Sequence, residues 1–238
     1  MTSYDARIEI CCPSAEAAFA AEKARANRIE LCRDLETGGL TPSEGDIMKV
    51  ANILDIPVNV LIRPREGNFV YSEEEVSQML KSIYFCGITG AVNGVVIGAL
   101  TEDGNVDVDA CRKMIAQARE FRMEVTFHRA IDEPGDIFAR LQDVINLGVD
   151  RVLSSGGAPT AEEGAETLAE MVKIAGKRVS VMPGCGVTPE NAARILDITR
   201  AKEIHGSRIG IIECSIPEGT NHPRRKPSGQ TQGKPPAP

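Results

Sequence analysis

Two short segments near the start of the chain place the same chemical groups at the same spacing. Residues 7–11 read Arg-Ile-Glu-Ile-Cys, and residues 28–32 read Arg-Ile-Glu-Leu-Cys. Each is typical of a β-strand with apolar residues on one face and Glu followed by Cys on the other. On neighbouring strands, the two copies would bring two carboxylates together and two thiols together. These groups could form a functional site.

The predicted thiol pair is Cys11 and Cys32. Adjacent strands lie about 4.8 Å apart, so the two sulfurs can come within contact distance even in a staggered barrel. Two thiolates suit a soft monovalent ion, and we predict one Cu(I) ion, since zinc would require four ligands and no set of four is evident. The alternative is a pair of buried thiols that binds nothing. Cys12 has the opposite parity and is expected to pack outward.

The same strand face carries further ionisable groups. Four of them are candidate catalytic residues: Glu9, Glu30, Arg63 and His128. Asn59, Thr126, Glu203 and His205 share this face. One interpretation is an internal ion pair in which Arg63 neutralises Glu9 or Glu30. The other is an enzyme of unknown reaction acting on a small anionic substrate at the barrel mouth, where Arg63 and Arg65 suit an anion. Glu9 or Glu30 would then act with His128 in acid/base chemistry, and Arg63 would hold the anion.

The elements that must position these groups alternate regularly along the chain. The predicted strands are 7–12, 28–32, 58–63, 94–99, 124–129, 151–155, 179–183 and 203–206. Helix-start signals lie between them, at Ser14, Ser43, Ser72, Thr160 and Thr188. Eight strands separated by helices favour parallel βαβ units and an α/β fold of the TIM (β/α)₈-barrel type. A doubly wound open sheet is the alternative, but no G-x-G-x-x-G follows the first strand.

We divide the chain into a TIM-barrel domain, 7–206, and an atypical, Pro-rich C-terminal tail, 207–238, which we expect to be disordered. No convincing helix follows the eighth strand, so the eighth helix is expected to be missing or replaced. Strand faces left uncovered would invite association. A third hypothesis is therefore a scaffold protein that recruits partners through these faces or the tail.

Composition narrows the class of protein. The net charge is −7 and the tail is basic, so the acidic body is not expected to bind nucleic acid. No apolar run is long enough to span a membrane, and residues 1–5 lack a signal-peptide pattern. The seven cysteines include no C-x-x-C pair, which favours reduced thiols in a reducing compartment. We predict a cytoplasmic protein with no membrane or nucleic-acid partner.

Six segments together resemble the CutC family, called copper homeostasis proteins. They are 8–11, 28–32, 36–43, 62–65, 126–130 and 152–156. The resemblance runs from about residue 7 to 206 and implies a TIM barrel, homo-oligomers, a cytosolic and in eukaryotes also nuclear location, and Cu(I) binding or copper tolerance. The copper cysteines proposed in eukaryotic members match Cys11 and Cys32. Family members continue to a final helix where this chain has its Pro-rich tail.

Overall fold

The structure is a computed structural model that describes residues 6–207 and residue 210. Its strands are β1 (Arg7–Cys12), β2 (Arg28–Leu31), β3 (Val58–Leu61), β4 (Gly94–Ile97), β5 (Glu124–Phe127), β6 (Arg151–Ser154), β7 (Ser180–Pro183) and β8 (Glu203–Gly206). Its α-helices are α1 (Ala15–Lys23), α2 (Glu44–Ala51), α3 (Glu73–Thr89), α4 (Val108–Glu120), α5 (Ile137–Leu147), α6 (Ala165–Ala175) and α7 (Pro189–Thr199). Short 3₁₀ segments cover Leu35–Thr37 and Arg129–Asp132.

The eight strands form one parallel sheet that nearly closes on itself. Their order is β7-β6-β5-β4-β3-β2-β1-β8, and β8 lies beside β7 as well as pairing with β1. Consecutive strands are therefore neighbours, each joined to the next through a helix on the outside. This is the predicted TIM-type barrel, and the doubly wound alternative is wrong because the strand order never reverses in the middle of the sheet.

Strand alternation gives the barrel wall two faces, one packed against the helices and one directed to the centre of the barrel. Apolar residues such as Ile10 and Ile29 face outward into the core between the sheet and the helices. Their neighbours Glu9 and Glu30 face the centre of the barrel, and both are buried. The register sets Cys11 opposite Glu30. The polar face is therefore brought to one place by the period of the strand alone.

Helix starts follow the predicted caps with one exception. Ser14, Ser43 and Ser72 each accept a hydrogen bond from a backbone N–H in the first turn of the following helix. Thr188 precedes Pro189 at the start of α7. Thr160 instead caps a turn by accepting from the Glu163 N–H, and α6 begins only at residue 165.

The strands end one to two residues earlier than predicted in most cases. Cys32, Arg63 and His128 consequently lie just beyond β2, β3 and β5, at the entrance to the loops. Nearly all of the predicted tail, and any element after β8, fall outside the described residues. Within residues 6–207, no helix combines the length and apolar character needed to cross a membrane.

Candidate functional site

Inside the barrel, at the N-terminal ends of the strands, acidic and basic side chains alternate in a series of ion pairs. Arg28 donates through Nε to Glu9, and through Nη2 to Glu203 Oε2 at 2.6 Å. The same Glu203 oxygen accepts from Arg151 Nε at 2.7 Å, and Arg151 Nη2 reaches Glu124 Oε2 at 3.0 Å. Because each buried charge has an opposite partner, the network avoids the cost of an isolated charge in the interior.

Arg63 does not belong to this network, so the interpretation in which it neutralises Glu9 or Glu30 is wrong. It donates instead to three backbone carbonyl oxygens at 2.8–3.1 Å, those of Thr37, Gly39 and Gly67. The reason is its position two residues beyond β3, above the layer that holds the carboxylates. Among the described residues, Arg63 forms no ion pair with a carboxylate, and its Nε has no hydrogen-bond partner.

Glu9 connects this charged network, which forms the lower network at the N-terminal ends of the strands, to the upper half of the barrel, near their C-terminal ends. Its Oε1 lies 2.8 Å from His205 Nδ1, and its Oε2 accepts from Asn59 Nδ2 at 3.1 Å. Burial would raise the pKa of Glu9, but Arg28 and His205 outweigh it and hold that pKa well below its usual value. Burial would likewise lower the pKa of His205, but the bond to Glu9 and the nearby Glu30 raise it. Both shifts favour a carboxylate–imidazolium pair.

Glu30 lies beside this pair but takes no part in its hydrogen bonds. Its Oε2 has no partner among the described residues, and its Oε1 lies 4.0 Å from Cys11 Sγ. Burial raises the pKa of Glu30 to about 7, with His205 and Arg28 opposing the shift. The two repeated glutamates therefore differ in state. Glu9 is held ionised, whereas Glu30 is a carboxyl group that can gain or lose a proton near neutral pH.

The Sγ atoms of Cys11 and Cys32 lie 3.5 Å apart, and both residues are buried. Cys12 packs into the main core on the opposite face of β1, as the sequence predicts. The contact with Cys32 raises the pKa of the Cys11 thiol well above its ordinary value, and burial and Glu30 add to the shift. The Cys11 thiol therefore keeps its proton until a metal ion displaces it.

The donor groups near the thiols indicate which ion would fit. Glu9, Glu30 and His205 present ligand atoms within 4.8 Å of one another, a set that a divalent ion could use. Arg28 already neutralises Glu9, however, and His205 already bonds to it. A divalent ion would meet the guanidinium and would have to break these contacts. The chemistry therefore fits Cu(I) at the two thiols better than a divalent ion at the carboxylates.

A cavity of about 470 Å³ opens at the C-terminal ends of the strands, where TIM-barrel sites lie. Cys11, Glu30, Arg63, His128 and His205 all line it. Apolar side chains from the loops and strand ends, such as Leu35 and Phe69, complete the wall. Glu9 is wholly buried beneath this lining. The volume lies in the range of small-molecule pockets.

His128 lines the cavity as a neutral imidazole. The Ala130 N–H donates to its Nδ1 at 3.2 Å, which assigns the ring proton to Nε2. Burial lowers the pKa of His128 to about 3, and the positive charge of Arg63 adds to the shift. The ring is held against Phe69, with ring centroids 4.8 Å apart, and against Gly98, where any side chain would collide with it.

Sequence reasoning missed the two arginines that hold the network together. Arg28 and Arg151 each open a strand inside the barrel. Arg28 has the same parity as Glu30 in the repeated segment, so the alternation that identified Glu30 could also have identified Arg28. His205 lies on the face that the sequence predicts, but the sequence does not indicate its bond to Glu9.

Comparisons with known proteins agree on one family. The model described as the CutC family matches residues 6–210. A CutC protein of Xylella fastidiosa (strain Temecula1) is 47% identical over 207 residues, covering 87% of this chain and 76% of that protein. The mouse copper homeostasis protein cutC homolog is 44% identical over 200 residues, covering 84% and 72%. A solved structure of a CutC protein from Streptococcus agalactiae has a TM-score of 0.80 and 31% identity, covering 86% of this chain and 99% of that one.

Proposed function

Since the chain belongs to the CutC family, we propose that it binds one Cu(I) ion through Cys11 and Cys32 and serves in copper homeostasis. The observation that carries the proposal is the 3.5 Å contact between two buried sulfurs on adjacent strands. The name of the mouse relative supports the copper role.

The protonation of the thiols shapes how copper would bind. Cu(I) must displace the Cys11 proton, because the neighbouring thiol and burial raise the pKa of Cys11. Binding therefore releases protons, and we expect the Cu(I) affinity to fall as the pH falls.

An anaerobic titration against a chromophoric Cu(I) chelator tests the proposal. We expect the unsubstituted protein to bind about one equivalent, and Cys11→Ala and Cys32→Ala each to lose it, because neither leaves two thiolates. Cys12→Ala is the matched control, since that thiol faces the core on the other side of β1. Full binding by the Cys11/Cys32 double variant would overturn the proposal.

The location and assembly belong to the same proposal. The six cysteines of the described residues are all free thiols, which supports a reducing compartment such as the cytoplasm. The family resemblance adds the nucleus in eukaryotes. We also propose that copies of the chain associate into a homo-oligomer, as the family resemblance implies. Sedimentation equilibrium on the copper-free protein distinguishes an oligomer from a monomer.

A second candidate function, acid/base catalysis on a small anionic substrate, is supported by Glu30. A buried carboxyl group whose pKa is raised to about 7 and which lines a cavity is the type of group that general acid/base catalysis uses. Glu30 would exchange the proton, Arg63 and His128 would contact the substrate, and Glu9 would position His205.

Infrared titration of the copper-free protein tests this premise. The carboxylic C=O band of Glu30 should persist to about pH 7 and then give way to carboxylate, and Glu30→Gln should remove it. Glu36→Gln, which alters an exposed carboxylate in the loop after β2, is the control and should leave the band unchanged. A band that disappears near the ordinary pKa of about 4.3 would exclude the role.

A further inference from the structure

Three buried polar atoms on the cavity wall have no hydrogen-bond partner among the described residues. They are Glu30 Oε2, Arg63 Nε and His128 Nε2, and their residues are 4%, 6% and 5% exposed. An unpaired buried polar group costs about 1–3 kcal/mol. Three such groups on one cavity indicate a ligand that pairs with them.

The electrostatic balance indicates the charge of that ligand. The carboxylates and arginines of the lower network pair with one another, and Glu9 pairs with His205. Arg129, another cavity residue, pairs with Asp132. Arg63 instead donates its Nη hydrogens to neutral carbonyl oxygens and forms no ion pair among the described residues. A negatively charged group on a ligand in the cavity would therefore pair with Arg63.

The two donor residues lie against the same aromatic ring of the cavity wall. The guanidinium carbon of Arg63 lies 5.0 Å from the centroid of the Phe69 ring, and the His128 ring packs against the same Phe69 at 4.8 Å. Each offers one free N–H, from Nε of Arg63 and Nε2 of His128. His128 therefore acts as a neutral donor rather than as a base.

The geometry points to a carboxylate-binding site in which Arg63 Nε–H and His128 Nε2–H each donate to a ligand carboxylate, with a hydroxyl group of the ligand on Glu30. Two single N–H donors match the two oxygens of a carboxylate. A phosphate group would present more acceptor oxygens than these two N–H groups can pair with. The apolar part of the wall, including Leu35 and Leu61, would contact the carbon skeleton.

This inference deepens the acid/base function proposed above and rests on it for the choice of cavity, but it concerns binding alone. Carboxylate binding can therefore be present when Glu30 carries out no proton transfer. The infrared titration tests the protonation of Glu30 and the binding experiment tests the carboxylate site, so either can fail without the other. Copper binding is measured on the same samples and is a third, independent result.

Lactate serves as the probe, with inorganic phosphate at equal ionic strength as the comparison. The histidine ring resonances of the copper-free protein are followed by NMR during each titration. We expect a saturable shift of the His128 resonance with lactate. Phosphate should bind at least about tenfold more weakly than lactate. Arg63→Gln should weaken lactate binding at least about tenfold, because it removes the charged donor.

Two further variants keep the test decisive. Arg112→Gln is the control, because Arg112 pairs with Asp109 on the exposed face of α4 and does not line the cavity. It should bind lactate within about twofold of the unsubstituted protein. Should Arg63→Gln fail to fold, His128→Phe removes the second donor and keeps a ring, and it should also weaken binding, read from backbone amide shifts. Unchanged binding by a folded Arg63→Gln variant or by His128→Phe, tighter binding of phosphate, or no saturable binding of lactate would overturn the inference.

Discussion

Glu30 and His128 face one cavity, and burial drives each toward its neutral form. A carboxyl group gains its proton on burial, whereas an imidazole loses its own. Burial therefore raises the pKa of Glu30 to about 7 and lowers that of His128 to about 3. At neutral pH His128 is a donor through Nε2, and of these two residues Glu30 is the one that can exchange a proton.

The state of His128 gives a prediction for pH dependence. Its pKa is about 3 in the folded protein and near 6.5 in an unfolded chain. Between these values only the unfolded chain binds the proton, so His128 lowers stability by about 1.4 kcal/mol per pH unit as the pH falls below 6.5. The His128 ring resonances should therefore not titrate between pH 5 and 8. A titration centred near pH 6.5 would contradict the neutral, buried ring.

Much of the residue-scale site could be predicted from strand parity. Alternation placed Glu9, Glu30, Cys11 and Cys32 inside the barrel correctly. It could not predict that Arg28, rather than Arg63, neutralises Glu9, because partners inside a barrel depend on the level of each residue along the barrel axis. That level is set by the stagger between strands, which the sequence does not state.

At the scale of elements, helix caps fix where the site-bearing loops end. The loop that carries Arg63 and Phe69 ends at α3, whose start has a reciprocal cap. Ser72 Oγ accepts from the Glu75 N–H at 3.3 Å, and the Ser72 N–H donates to Glu75 Oε2 at 2.8 Å. Ser72 and Glu75 at this spacing were recognisable in the sequence because the motif is local.

Removal of this cap should destabilise the protein measurably. We expect Ser72→Ala to lower the free energy of unfolding by about 1 kcal/mol, because the first turn of α3 loses an acceptor for a backbone N–H. Ser77→Ala, at an exposed position further along the same helix, is the matched control. It should change stability by less than about 0.5 kcal/mol, since alanine favours helix interiors. Urea unfolding measures both, and equal effects would exclude a capping role.

At the scale of the whole molecule, the charged network crosses the barrel. Arg28 donates to Glu9 of β1 and Glu203 of β8, and Glu203 also accepts from Arg151 of β6. The network thereby ties strands that are far apart in the sequence. This supports our proposal that residues 7–206 act as one domain. Eight strands with helices between them are enough to predict the barrel from the sequence, whereas ion pairs between distant strands are not predictable from it.

Loss of Arg28 should therefore weaken the entire barrel. We expect Arg28→Met to lower the free energy of unfolding by about 3–5 kcal/mol, because Glu9 and Glu203 each lose a buried counterion. Hydrogen exchange should show reduced protection in β4–β6 as well as in β1, β2 and β8. Arg112→Met is the control, since Arg112 and its partner Asp109 are both exposed. Loss of protection confined to β1, β2 and β8 would contradict the single domain.

X-ray absorption at the copper edge, on protein loaded with one equivalent of Cu(I), tests the central claim most directly. The structure places two buried sulfurs in contact, and a separate set of carboxylate and imidazole groups beside them. We predict two sulfur neighbours around copper, supplied by Cys11 and Cys32. Copper surrounded by oxygen and nitrogen neighbours without sulfur would contradict the account and would place the metal at Glu9, Glu30 and His205 instead.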